Sequence, residues 1–118
     1  MSLPKMLFLD DEQTRHDFVW EHLPHWDITS VYDTRNCQYL LATQHWDLVS
    51  LDHDIGDGQT GYDVVAFMAT LPADKRPKYV NVHSYNPVGK ERMINKLKED
   101  GYVVFDYMTQ KLTEVLNE

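Results

Sequence analysis

The strongest constraint on the fold is a regular alternation between short apolar runs and longer amphipathic segments. Each apolar run is four or five residues long and is bounded by turn residues, which is typical of a buried strand. The predicted strands are residues 5–9, 28–31, 47–51, 78–82 and 102–105. Between and after them, apolar side chains recur at helical spacing, which predicts five helices. Five strands alternating with five helices predict an α/β fold, in which a doubly wound parallel sheet of order 2-1-3-4-5 is covered by helices on both faces.

Capping residues indicate where the helices begin and end. A small polar residue precedes four of the five segments, where its side chain can accept a hydrogen bond from a free backbone N–H. The expected N-caps are Thr34, Thr60, Asn86 and Thr109. The first helix instead begins at Asp11 or Glu12 and runs to about Leu23. Gly101 is expected to end the fourth helix in the left-handed conformation.

The composition is that of one globular domain, expected to span residues 1–118, with 42% hydrophobic and 25% charged residues. A net charge of -8, with no basic stripe, argues against double-stranded nucleic acid as a partner. Cys37 is the only cysteine, which excludes a disulfide framework or a thiolate metal site and suggests a small core side chain. No segment is apolar enough to span a bilayer and the N-terminus lacks a secretory signal, so the predicted location is the cytoplasm.

Two of the predicted strands run directly into carboxylates. Asp10 and Asp11 follow the first strand, and Asp52 and Asp54 follow the third. These strands are neighbours in the predicted order, and ligands of such sheets bind at the carboxyl ends of the strands. Carboxylates held so close repel one another unless a cation lies among them. An all-oxygen set favours Mg²⁺, with Mn²⁺ or Ca²⁺ as alternatives, although Asp11 could also be a helix N-cap.

The residues after the fourth strand should line the same edge. His83, Ser84 and Asn86 occur there, and the helix that follows would present backbone N–H groups near Gly89 to an anion. Ser84 and Asn86 can donate hydrogen bonds to a phosphoryl oxygen. His83 or His53 could transfer a proton or bind a metal. The alternatives are that Asn86 only caps the helix and that His83 is a hydrogen-bonded core histidine.

These motifs together resemble a response-regulator receiver domain, which has a flavodoxin-like, three-layer fold. The resemblance rests on the acid pair after the first strand, Asp52 after the third, Gly61, and Ser84 after the fourth. It implies that Asp10 and Asp11 are magnesium ligands. It also implies that Asp52 accepts a phosphoryl group and that Ser84 contacts this group.

One position departs from the receiver pattern. Receivers carry a lysine at the tip of the fifth strand, where this chain has Asp106 and Tyr107, and the nearest later lysine is Lys111. The segments 51–56 and 83–89, with Met93 after them, resemble instead the divergent cyclic-phosphate processing receiver domains.

The two resemblances imply different functions. The divergent family implies a metal-dependent hydrolase, a phosphoesterase that opens a cyclic phosphate on a nucleotide or an ADP-ribose derivative. Asp52 would act there with His83 or His53, and Ser84, Asn86 and Gly89 would hold the phosphate. The alternative is a stand-alone receiver that is phosphorylated on Asp52 in a two-component phosphorelay and acts through a partner protein. A third possibility is a binding module with neither activity.

Overall fold

In the computed structural model, which describes residues 2–104, four parallel strands form one sheet of order β2-β1-β3-β4. The strands are β1 (Lys5–Leu9), β2 (Asp27–Val31), β3 (Leu48–Leu51) and β4 (Tyr79–Val82). Leu9 lies opposite both Val31 and Leu51, and Leu51 lies opposite Val82, so all four strands end at one edge. The predicted α/β architecture and the order of these strands are confirmed.

The start of the predicted fifth strand lies beside β4. Val104 forms a parallel bridge to Val80, as a fifth strand next to β4 would. The rest of that predicted strand and the last helix, which was expected to begin at Thr109, lie outside the described residues. Asp106 and Lys111, the positions that bear on the missing lysine, also lie outside them.

The helices begin and end close to the predicted caps, with one correction. They are α1 (Gln13–His22), α2 (Thr34–Thr43), α3 (Gly61–Met68) and α4 (Pro87–Glu99), and a short 3-10 turn spans Ala73–Lys75. The prediction of Thr34 as an N-cap is wrong, because the Asp33 carboxylate accepts the Asn36 N–H at 2.8 Å. The Thr34 hydroxyl instead donates to the Asp57 carboxylate at 2.9 Å. In the described part of the chain, no helix is both long and apolar enough to cross a membrane.

Apolar side chains fill both faces of the sheet. Along β1, Met6 and Phe8 pack in a cluster with Val19 of α1, whereas Leu7 and Leu9 point to the opposite face. The larger cluster on that opposite face contains residues of α2, α3 and α4 and includes the fully buried Cys37, as predicted. Successive side chains of β1 thus face opposite sides of the sheet, and both sides are apolar. Polar side chains occur directly after β1, β3 and β4, where the chain leaves the sheet.

Candidate functional site

Two buried aspartates converge where β1 and β3 end. The backbone N–H of Asp10 donates to Val31 and that of Asp52 donates to Leu9, each at 3.1 Å, so the sheet ladder fixes both residues. The side chain of Asp10 is fully buried, and that of Asp52 is only 5% exposed. One oxygen from each, together with one from the exposed Asp11, lies within 4.8 Å of the others. We call these three residues the acidic crevice; they supply the hard oxygen donors that Mg²⁺ prefers.

A cationic side chain lies within the acidic crevice. The Arg15 Nη1 atom lies 3.1 Å from Asp10 Oδ2 and 3.2 Å from Asp52 Oδ2. Its guanidinium carbon also lies 5.3 Å from the ring centroid of Tyr85. Arg15 is not among the residues predicted from the sequence. The signal that was available is a basic residue in the first turn of the helix that follows the acid pair.

Burial and hydrogen bonding shift the pKa values of these groups in different directions. Burial alone would raise the pKa of Asp10, but hydrogen bonds, led by the one from His83, outweigh burial and lower it. Burial raises the pKa of Asp52, and its favourable neighbours, among them Arg15, offset only part of this effect. Burial would lower the pKa of Arg15, but its hydrogen bond to Asp10 raises it. Asp10 therefore keeps its negative charge, whereas Asp52 holds a proton more readily than an ordinary aspartate.

His83 is held by partners on both of its ring nitrogens. Its Nε2 lies 3.1 Å from Asp10 Oδ2, and its Nδ1 lies 2.7 Å from Ser50 Oγ. The Asn81 amide donates to the same Ser50 oxygen at 2.9 Å. The ring of Phe8 lies parallel to the imidazole, with the ring centroids 4.4 Å apart. Ser50 and Asn81 are polar residues inside buried strands, which is the sequence signal that could have identified them.

His53 forms a second pair with a carboxylate on the neighbouring loop. Its Nδ1 lies 2.8 Å from Asp54 Oδ1, and the Asp54 side chain is 67% exposed. Asp54 is thus the predicted metal ligand that does not join the acidic crevice. A Cβ atom added to Gly89 would lie 2.6 Å from His53 Cδ2, so the ring lies directly against the first turn of α4. Among residues 2–104, His53 Nε2 has no hydrogen-bond partner, and it lies close to Gly89, 2.8 Å from where a Cβ atom would be.

The predicted phosphate-binding residues form a local capping network. The Asn86 side chain accepts the Gly89 N–H at 3.0 Å, so Asn86 caps α4 and occupies that N–H group. Ser84 Oγ accepts the Asn86 N–H, also at 3.0 Å, and keeps its own hydroxyl proton for a ligand. The adjacent Tyr85 side chain projects into solvent. Of this predicted set, Ser84 is therefore best placed to donate to an anion.

Comparison with known proteins reveals a family and a fold. A family model described as the cyclic-phosphate processing receiver domain matches residues 5–99. No curated protein matches the sequence significantly. A response-regulator receiver domain from Methylobacillus flagellatus is 21% identical, with a TM-score of 0.68 and 98% of each chain covered.

A second similar structure was solved with a metal ion. It is the receiver domain of a sensor histidine kinase from Pseudomonas aeruginosa, which has a magnesium ion coordinated in its active-site cleft. This domain is 15% identical, with a TM-score of 0.71, and the match covers 98% of the present chain and 95% of the other. At such low identities the similarity to solved structures shows the fold alone.

Proposed function

This chain belongs to the cyclic-phosphate processing receiver domain family, and we propose that it opens cyclic phosphates with the help of a divalent metal ion. The substrate class would be a nucleotide or an ADP-ribose derivative that carries a cyclic phosphodiester. The observation that carries the proposal is the convergence of Asp10, Asp11 and Asp52 at the edge of the sheet.

The donor set of the acidic crevice fits a hard divalent cation. Three carboxylates approach one another there without a thiolate, which favours Mg²⁺, with Mn²⁺ or Ca²⁺ as alternatives. The guanidinium of Arg15 lies between Asp10 and Asp52, so the crevice has room for a positive charge there. When bound, such an ion would neutralise charge on the phosphate and favour attack by water.

His53 is the residue that we assign to proton transfer. In the proposed step, water adds to phosphorus and the bond from phosphorus to one ribose oxygen breaks. That oxygen takes the proton from His53 Nε2. The attacking water loses a proton to solvent, and His53 is reprotonated from solvent. The product is a phosphate monoester. The Asp54 carboxylate would accept a hydrogen bond from His53 Nδ1–H. It would thereby orient the imidazole and stabilise the imidazolium, as the carboxylate of a catalytic triad does.

We assign His83 a positioning role instead. Both of its nitrogens already have protein partners, and its Nε2 atom is directed at Asp10. A partner of this kind orients a metal-binding carboxylate, and its removal typically weakens metal binding by about 10- to 100-fold. The Ser84 hydroxyl would donate to a nonbridging phosphate oxygen from the same edge of the sheet.

The proposal is tested with purified protein and a panel of 2′,3′-cyclic nucleotides and cyclic phosphates of ADP-ribose, with and without Mg²⁺ or Mn²⁺. Phosphorus NMR would follow the conversion of the cyclic diester to the monoester. D52N and H53N should each lower turnover by about a hundredfold or more. H45N replaces an exposed histidine outside the site and serves as the matched control. No metal-stimulated turnover on the panel, together with no effect of D52N, would refute the proposal.

Phosphorylation of Asp52 is the second candidate, because this residue directly follows β3 and lies beside Asp10 in a fold shared with response-regulator receivers. Mass spectrometry after treatment with acetyl phosphate distinguishes the two candidates. A phosphoryl group on Asp52 in the wild-type protein, absent in D52N, would support a phosphorelay that acts through a partner protein. Failure of the protein to bind any divalent cation in calorimetry would favour a binding module with neither activity.

A further inference from the structure

We infer that Arg15 is a resident counter-ion of the acidic crevice, which a divalent cation displaces and which then binds the phosphate of the ligand. The inference deepens the proposed function and rests on it for the identity of the cation and the anion. It assigns one residue two successive partners, namely the carboxylates before the metal binds and the phosphate afterwards.

The first step follows from the space that the guanidinium occupies. Its Nη1 atom donates to both carboxylate oxygens of Asp10, at 3.1 and 3.2 Å, and to one carboxylate oxygen of Asp52 at 3.2 Å. Mg²⁺ binds its oxygen ligands at about 2.0–2.1 Å, so an ion shared by these carboxylates needs the same volume and the same lone pairs. Two cations cannot share that volume, because like charges a few ångströms apart repel strongly where water is scarce.

The second step follows from the path by which Arg15 can leave. Its side chain is 31% exposed, and its guanidinium lies near the ring of Tyr85, whose exposure is 87%. Rotation about the flexible side-chain bonds therefore moves the charge outward without disturbing the core. Tyr85 immediately follows Ser84, which is the hydroxyl best placed to meet a phosphate. A guanidinium released there would offer the forked pair of donors that matches phosphate oxygens.

Calorimetric titration with MgCl₂ in the absence of substrate tests the competition directly. R15Q should bind Mg²⁺ about tenfold more tightly than the wild type. R15K keeps the positive charge but lacks the paired donors of the guanidinium, so its Mg²⁺ affinity should be intermediate. R35Q removes an exposed arginine of α2 and should bind as the wild type does. Equal or weaker binding by R15Q, or no binding by any of the proteins, would overturn the inference.

This experiment separates the inference from the proposed function, because no turnover is involved. If cyclic phosphates are not hydrolysed but R15Q still binds Mg²⁺ more tightly, the counter-ion role stands and the proposed reaction fails. If cyclic phosphates are hydrolysed and R15Q binds Mg²⁺ no more tightly, the reaction stands and the counter-ion role fails.

Two further measurements keep the inference testable even if R15Q folds poorly. In the wild type, the ¹⁵N NMR signal of the Arg15 Nε–H should shift during the Mg²⁺ titration with the same midpoint as the calorimetric curve. A signal that stays fixed while the metal binds would refute displacement. With Mg²⁺ saturating, the wild type should bind inorganic phosphate about tenfold more tightly than R15K, because lysine lacks the paired donors of the guanidinium, and equal binding would refute the second step.

Discussion

Substitution of Gly61 by alanine would test how closely the start of α3 approaches the acidic crevice. A Cβ atom at this position would lie 2.0 Å from the backbone carbonyl oxygen of Asp52 and 2.7 Å from the Met93 Cε atom. The Met93 methyl group can rotate away, but the carbonyl oxygen belongs to the chain that positions Asp52. The Gly61 N–H also donates to the His53 carbonyl at 2.8 Å, which ties the helix to the same loop.

The size of the effect follows from this overlap. Separating the two atoms to 3.4 Å, where ordinary contact begins, requires a movement of about 1.4 Å. Overpacking of this kind typically costs about 1–3 kcal/mol, and loss of the Gly61 hydrogen bond adds about 1 kcal/mol. G61A should therefore lower the free energy of unfolding by about 3 kcal/mol and the melting temperature by roughly 10 °C. Because the displaced atom belongs to Asp52, affinity for Mg²⁺ should fall as well.

Urea unfolding and Mg²⁺ calorimetry on G61A and G58A would measure these effects. Gly58 has a φ of +89°, and nothing lies within 4 Å of a Cβ atom there. G58A thus introduces backbone strain of about 1–2 kcal/mol without a steric clash, and it should leave Mg²⁺ affinity unchanged. If G61A is as stable as the wild type, or loses less stability than G58A, the reasoning from the close approach is refuted.

Three further predictions concern other parts of the chain. G89A should push the His53 ring aside, because the new Cβ would lie 2.6 Å from it, and turnover should fall at least about tenfold; a fully active G89A would contradict this. Burial raises the pKa of Tyr102, whose hydroxyl donates to the Met68 carbonyl at 2.6 Å. The stability from Tyr102 should be complete below its ordinary pKa of about 10 and be lost as pH rises through the higher folded value, so urea unfolding should show a decline at alkaline pH that Y102F reduces. Burial also raises the pKa of the Cys37 thiol far above its usual range, so iodoacetamide should label the native protein far more slowly than the urea-unfolded protein, and rapid native labelling would contradict the buried position.

The sheet and the convergence of the acidic residues could be predicted because both follow from short segments of the sequence, namely an apolar run and the carboxylates directly after it. Short apolar runs indicated the strands, and the carboxyl ends of neighbouring parallel strands must meet at one edge of the sheet. Asp10 and Asp52 were therefore predicted to lie close together although they are 42 positions apart in the chain, and the structure has them so. Three strand boundaries differ from the prediction by one residue: β2 begins one residue earlier, and β3 and β4 begin one residue later.

The side-chain partners could not be predicted, because they depend on direction as well as position. The sequence places His83 and His53 at the same edge, but it does not determine that His83 has partners on both ring nitrogens. Arg15 was missed for a similar reason, since a basic residue in a first helical turn usually faces solvent. Thr34 is not the N-cap of α2, because the carboxylate of Asp33, one residue earlier, is a stronger hydrogen-bond acceptor than the threonine hydroxyl.

The chain of hydrogen bonds from Asn81 through Ser50 to His83 also has a consequence for how the sheet assembles. Asn81 lies directly opposite Ser50 in the pairing of β4 with β3, and Ser50 lies opposite Phe8 of β1. A slip of one residue in either pairing would turn the slipped strand's side chains to the other face and bury unsatisfied polar groups among apolar neighbours. A misaligned sheet would therefore be less stable than the native one, so the hydrogen bonds that hold His83 beside Asp10 also favour the native alignment of β3 and β4.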